Sequence, residues 1–264
     1  MGRGENLQGR VAIITGAGSG IGKAAALRLA REGVRVACVE LEEEEANATV
    51  SEISAEGGEA MAVLADVSSP QDMEAGTQQV VDRWGRIDFV FANAGINGVW
   101  APLEELEPEE WDKTLNINLK GTFLAVKYAV PHLKKQGGAI VVTSSVNGTR
   151  TFSNTGASAY SSSKAGQVAF TKMIALELAK HRIRANVICP GAIETNISEN
   201  TEQRHLEEVK EPAEYPEGTI PLTRGEPGTA EQVAELVLFL VSDRSSHISG
   251  TEIWIDGTGS LLVG

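Results

Sequence analysis

Short apolar runs rich in β-branched residues recur along the chain at 11–15, 34–39, 60–65, 89–92, 139–143, 184–189 and 252–255. Longer stretches with helical apolar spacing separate most of them. Runs this apolar leave no face for water, so the alternation predicts an α/β protein: a seven-stranded parallel sheet, doubly wound, with helices on both faces. Helix starts carry their own signals. Ser69-Pro70-Gln71-Asp72 offers an N-cap, a proline at the first helical position and an early acid. Thr229 and Gln232 have capping-box spacing. Glu107-Pro108 opens another helix, which Pro131 is expected to kink or end near His132. No linker or repeat divides the pattern, so residues 1–264 form a single domain. The stretch 193–228 departs from it, with Pro212, Pro216, Pro221 and Pro227, dense charge and weak periodicity, and is expected to be a lid or loop.

Composition narrows the function. The chain has 264 residues, two cysteines and a net charge of −13. It can bury a core without disulfides. Its acidity gives no general pull toward nucleic acid or anionic lipid. The first residues lack a signal-like apolar run, and no run approaches the roughly 20 residues that span a bilayer; a cytoplasmic protein is expected. Cys38 and Cys189 fall in apolar runs and read as core thiols. His132, His181, His205 and His247 are scattered, and no metal site is expected. Trp84 and Trp111 lie in helical patterns and read as packing residues.

Candidate chemistry begins directly after the first strand, with Thr15-Gly16-Ala17-Gly18-Ser19-Gly20-Ile21-Gly22 followed by a helical stretch. Glycines there let the backbone approach a pyrophosphate, which rests on the positive end of the next helix. Glu40 closes the second run, where an acid accepts hydrogen bonds from adenosine ribose hydroxyls. A 2′-phosphate would meet Glu40 and the acidic run 42–45. NAD is therefore expected over NADP. Further on, Tyr160 and Lys164 stand four apart on a helix, on one face. A neighbouring cation is expected to lower the phenol pKa toward the range of a general acid or base.

These motifs, in this order and over nearly the whole chain, resemble the short-chain dehydrogenase/reductase family, which implies a Rossmann-type fold. The resemblance assigns the cofactor site to Gly16, Ser19, Gly20, Ile21, Gly22, Glu40, Asp66, Val67, Asn93, Ala94 and Gly95, and to Tyr160, Lys164, Pro190, Gly191, Ile193 and Thr195. It implies a catalytic set of Asn118, Ser145, Tyr160 and Lys164. Tyr160 exchanges the substrate proton while hydride moves to or from nicotinamide. Lys164 binds the nicotinamide ribose, Ser145 donates to the substrate oxygen, and Asn118 holds a water of a proton relay. Ser144 is the alternative to Ser145, and the 15-residue spacing from Ser145 to Tyr160 makes the segment 146–158 bulge. The family's usual assembly implies a homotetramer.

For the substrate, Trp100 and Phe152, with Tyr215, are candidate apolar walls, and Asn97, Asn147 and Asn154 candidate polar contacts. Between 194 and 217 stand eight glutamates against Arg204 and Lys210. That balance suits a small neutral alcohol or ketone better than a phosphate-bearing thioester. The alternatives are an NADP-linked 3-oxoacyl thioester reductase and a non-catalytic NAD-binding sensor. The second has no use for the tyrosine–lysine pair.

Overall fold

A computed structural model describes residues 7–197, 201–209 and 220–262. In chain order it contains β1 (Val11–Thr15), α1 (Gly20–Arg31), β2 (Arg35–Glu40), α2 (Glu43–Ala55), β3 (Ala60–Leu64), α3 (Pro70–Trp84), β4 (Phe89–Ala92) and β5 (Gly98–Trp100). There follow α4 (Pro108–Leu115), a π-helical segment (Asn116–Lys120), α5 (Gly121–Gln136), β6 (Gly138–Thr143), α6 (Ser158–Ala179), β7 (Ile183–Pro190), β8 (Thr201–Gln203), α7 (Ala230–Val241) and β9 (Glu252–Ile255). Seven strands form one parallel sheet in the order β3-β2-β1-β4-β6-β7-β9. The chain is thus a single α/β domain of Rossmann type.

Strand alternation sends neighbouring side chains to opposite faces, and two cores result. Val11 and Ile13 pack in one with α3, α5 and α6 through Met73, Leu124, Ala129, Val168 and Leu178. Ala12 and Ile14 pack in the other with α1 and α7 through Leu29, Val233 and Val237. Cys38 and Cys189 are buried in these layers, and burial pushes their thiols up to about 12 and about 11. The strand order reverses between β1 and β4, so a ligand crevice opens at the carboxyl ends of these strands.

Two local features depart from expectation. Pro131 neither ends nor interrupts its helix: α5 runs through it to Gln136 and ends at Gly137, φ +84°. Pro131 is exposed, so the carbonyl whose partner it removes can turn to water. The helix opened at Glu107 reaches α5 through the π segment. The lid stretch also contains β8, which pairs in parallel with β5 to form a separate two-stranded sheet. The caps at Ser69 and Thr229 form as expected.

Candidate active site

The glycine loop joins β1 to α1 across the mouth of the crevice. Gly16 has φ +66° and donates to the Val39 carbonyl at 2.9 Å; Gly20, at φ +49°, opens α1. A Cβ on Gly22 would lie 1.8 Å from the Gly16 carbonyl oxygen, so no side chain fits there. Ser19 caps α1 without a side-chain bond, and no acid stands in the first turn. The helix end thus keeps its positive character, and the cradle fits a pyrophosphate.

Glu40 is the last residue of β2, and its carboxylate accepts from the Gly18 and Leu41 N–H groups, both at 3.0 Å. Glu45 packs on the same glycine: a Cβ on Gly18 would sit 2.6 Å from Glu45 Cβ. Thr49 Oγ1 donates to the Ala17 carbonyl at 3.0 Å and holds α2 against the loop. Asp66 accepts from the Ser68 N–H and hydroxyl, each at 2.8 Å, and Val67 packs where Gly121 lacks a side chain.

Asn93 fastens three strand ends together. Its N–H and that of Ala94 donate to Thr15 Oγ1 at 3.0 and 3.1 Å, and its Oδ1 accepts from Thr143 Oγ1 at 3.0 Å. At Gly95 a Cβ would stand 3.1 Å from Asn118 Oδ1 and 3.4 Å from Lys164 Nζ. Asn118 Oδ1 accepts from the Ile96 N–H at 2.9 Å, and its Nδ2 donates to the Ile96 carbonyl at 2.9 Å and to Ser163 Oγ at 3.0 Å.

On the other wall, α6 presents Tyr160 and Lys164, 8% and 3% exposed, on one buried face. Lys164 Nζ donates to the Thr143 carbonyl at 3.0 Å and lies 5.5 Å from the Tyr160 ring centroid. The Ser145 hydroxyl lies near enough to the Tyr160 phenol to hold its pKa down, whereas Ser144 Oγ donates to the Lys164 carbonyl at 2.8 Å, locking α6 to β6. The alternation of the strand sends the two serines to different tasks. Ser145 also accepts from the Asn147 N–H at 3.2 Å. The 146–158 segment is braced from outside, with Arg150 stacked 3.6 Å over the Trp254 ring and Trp254 Nε1 donating to Thr149 Oγ1 at 3.0 Å.

The electrostatics correct the expectation for the phenol. Burial raises the Tyr160 pKa, and the Ser145 hydrogen bond opposes that rise. Burial also lowers Lys164 to about 8. Desolvation, not the neighbouring cation, sets both directions.

The β7 side of the crevice is closed by the segment after that strand, the stretch expected to hold the nicotinamide. Pro190 ends that strand, and Gly191 donates to the Ile255 carbonyl at 3.0 Å and abuts Asp256. Ile193 bridges to Gly228, and Thr195 packs on Gly20. Above Tyr160, the Trp100 ring stands with its centroid 6.5 Å away, and its Nε1 donates to the Asn97 carbonyl at 3.3 Å. Asn97 Nδ2 donates to Thr201 Oγ1 at 2.7 Å, tying β5 to the lid. Asn147 is buried and accepts from Asn154 at 3.1 Å. Phe152 is 68% exposed and does not join them, and Tyr215 lies outside the described residues. Sequence reasoning passed over Thr15, Thr143, Ser163 and Gln167. The first two end strands at the crevice, and the last two are polar residues on the Tyr160 face of α6.

A glycine cradle at the switch point of a parallel sheet, facing a buried tyrosine and lysine, defines a dinucleotide-dependent oxidoreductase. The family model described as enoyl-(acyl carrier protein) reductase matches residues 16–258. The chain is 39% identical over 252 residues to the 3-oxoacyl-[acyl-carrier-protein] reductase FabG of Thermotoga maritima, covering 95% of this chain and 98% of that protein. It is 39% identical over 249 residues to a cyclohexanol dehydrogenase of Acinetobacter sp. strain SE19, covering 94% of each. A solved 3-ketoacyl-ACP reductase of Sinorhizobium meliloti 1021 superposes with a TM-score of 0.93 at 54% identity, covering 96% of this chain and 99% of that one. The chain belongs to the short-chain dehydrogenase/reductase family. It is an oxidoreductase acting on CH–OH groups and their ketones with a nicotinamide dinucleotide.

Proposed function

We propose that the protein is an NAD-dependent dehydrogenase/reductase of small neutral secondary alcohols and ketones, with Tyr160 as acid/base. The observation that carries this reading is the buried Tyr160 with Lys164 one turn on along α6, its Nζ 5.5 Å from the phenol ring centroid. Tyr160 exchanges a proton with the substrate oxygen, and Ser145 donates to that oxygen as charge develops on it. Lys164, held by the Thr143 carbonyl, keeps donors for a ribose hydroxyl. Asn118 has its side chain engaged by Ile96 and Ser163, so it serves by bracing the wall. The bound dinucleotide supplies the hydride acceptor or donor.

The glycine loop, Asp66, Val67, Asn93, Ala94 and Gly95 hold the adenosine and pyrophosphate side. Pro190, Gly191, Ile193 and Thr195 hold the nicotinamide side. NAD is favoured over NADP because two carboxylates, Glu40 and Glu45, flank Gly18, and a 2′-phosphate there would be repelled. The Trp100 ring beside Tyr160 and the amides of Asn97 and Asn147 suit an uncharged cyclic or polar ketone. The substitution Tyr160→Phe is expected to cut turnover by roughly 100- to 10,000-fold while NADH still binds, as read by nicotinamide fluorescence. Retained turnover sinks the assignment.

A second reading, reduction of a 3-oxoacyl thioester, draws on the 54% identity to the solved 3-ketoacyl-ACP reductase. A higher kcat/KM for a 3-oxoacyl thioester than for any secondary alcohol or simple ketone would select it. We place the protein in the cytoplasm as a homotetramer. Met173 and Leu176, 74% and 84% exposed on α6, and Phe123 on α5 leave an apolar face that further copies would cover. Sedimentation at about four times the chain mass is the expected outcome, and a monomer would overturn it.

A further inference from the structure

The inward face of α6 carries, in successive turns, Tyr160, Ser163 with Lys164, Gln167 and Thr171, all of them buried. Gln167 is fully buried, and its Nε2 donates to the Asn118 carbonyl at 2.9 Å and to Thr122 Oγ1 at 2.7 Å. Thr122 Oγ1 donates in turn to the same carbonyl at 2.8 Å, so both of its lone pairs are met by side chains. The other end of the amide is orphaned: Oε1 is buried with no partner. Its orientation is nevertheless fixed. Turning the amide over would set Oε1 against the Asn118 carbonyl, acceptor facing acceptor.

Packing does not account for a glutamine here. Other inward positions of α6 are apolar, among them Val168, Ala175 and Leu178. A buried amide with one end unmet costs stability that a leucine of similar size escapes. What the amide does is hold Asn118, which lies in the π segment, where the helical ladder is locally widened. From there Asn118 grips Ile96, in the loop after β4, and Ser163 Oγ, which donates to the Tyr160 carbonyl at 2.7 Å.

We propose that Gln167 is a positioning residue of the catalytic centre, which by clamping the Asn118 carbonyl fixes the β4 loop and the Tyr160 backbone relative to each other. The inference rests on the acid/base reading of Tyr160 and Lys164. It places a local breach of the burial rule where function is gained, the pattern expected at working sites.

Two variants test it. Gln167→Leu is expected to melt at or above the wild-type temperature while kcat falls roughly 10- to 100-fold, the scale of a small misplacement at a reacting centre, with KM for NAD unchanged. Gln167→Glu retains an O–H donor for the Asn118 carbonyl while its carboxyl is neutral, the form that burial favours, and has none once ionised. Its activity should approach wild type at low pH and fall through one added ionisation that neither the wild type nor the leucine variant shows. Wild-type kcat in the leucine variant, or a glutamate variant that tracks the leucine variant at every pH, overturns the proposal. Should the leucine variant fail to fold, the glutamate profile decides alone. Neither failure touches the Tyr160 assignment, which Tyr160→Phe tests separately.

Discussion

On the wall built by β6 and α6, Tyr160 and Lys164 are buried, and Ser144, Ser145, Thr143 and Asn118 tie that wall to the sheet. The roof opposite is made differently. There β5 and β8 contribute three residues each, and Arg204 with Glu110, Glu202 and the Glu105 carbonyl fastens the lid through partly exposed contacts. A buried wall keeps one geometry through many turnovers, as proton transfer demands. A roof of short strands and partly exposed ion pairs is expected to open at smaller cost than the wall, the property the proposed lid needs for substrate exchange.

The wall has a thermodynamic signature. Burial lowers Lys164 from its ordinary value of 10.5 to about 8. The unfolded chain therefore holds the proton more tightly than the folded one. The penalty is present in full below pH 8, fades as pH rises, and is gone above 10.5. Lys164→Met is thus expected to cut turnover about 100-fold or more yet raise the melting temperature at pH 7. The gain should shrink steadily between pH 8 and 10.5, as calorimetry across that range would show. A variant less stable than wild type at pH 7 would mean that the ammonium is better paired than the wall suggests.

A smaller effect is expected at the adenosine end, where Glu40 and Glu45 face the glycine loop from the surface side. Glu40→Ala should weaken NAD about tenfold, the worth of one or two hydrogen bonds to ribose hydroxyls. Combined with Glu45→Ala, it should raise NADP affinity as like-charge repulsion is lost. Fluorescence titration with each reduced cofactor measures both. An unchanged NADP affinity in the double variant would shift the discrimination to shape instead of charge.

The same contrast governs what was legible in the sequence. The wall could be read because its elements announce themselves: β-branched runs for β1, β4 and β6, glycines before α1, and Tyr160 and Lys164 one helical turn apart. The boundaries of β1, β4 and β9 fall where the apolar runs end. The roof could not, because Gly98-Val99-Trp100 and Thr201-Glu202-Gln203 are too short to carry a period and pair only through tertiary contact. The π segment at Asn116–Lys120 leaves no signal either, since one partner of its Asn118 carbonyl, Gln167, comes from a helix far along the chain. Pro131 misled about where the helix ends because a proline's cost depends on which face of the helix it occupies. The phenol misled because sequence supplies the neighbouring lysine but not the depth of burial that outweighs it.

The gentlest perturbation falls on the roof. Arg204 donates its N–H to the Trp100 carbonyl at 2.9 Å and its guanidinium to Glu110 at 2.6 Å and to the Glu105 carbonyl at 2.8 Å. Arg204→Ala keeps the backbone bond and removes the rest. Partly exposed pairs of this kind add little to global stability, so the effect should stay local, with amides of β5 and β8 exchanging with solvent a few-fold faster. The melting temperature and NADH binding should stay as they are, because the sheet and the glycine loop do not depend on this contact. If protection is instead lost along the Tyr160 helix as well, wall and roof open as one unit, and the division of labour between them fails.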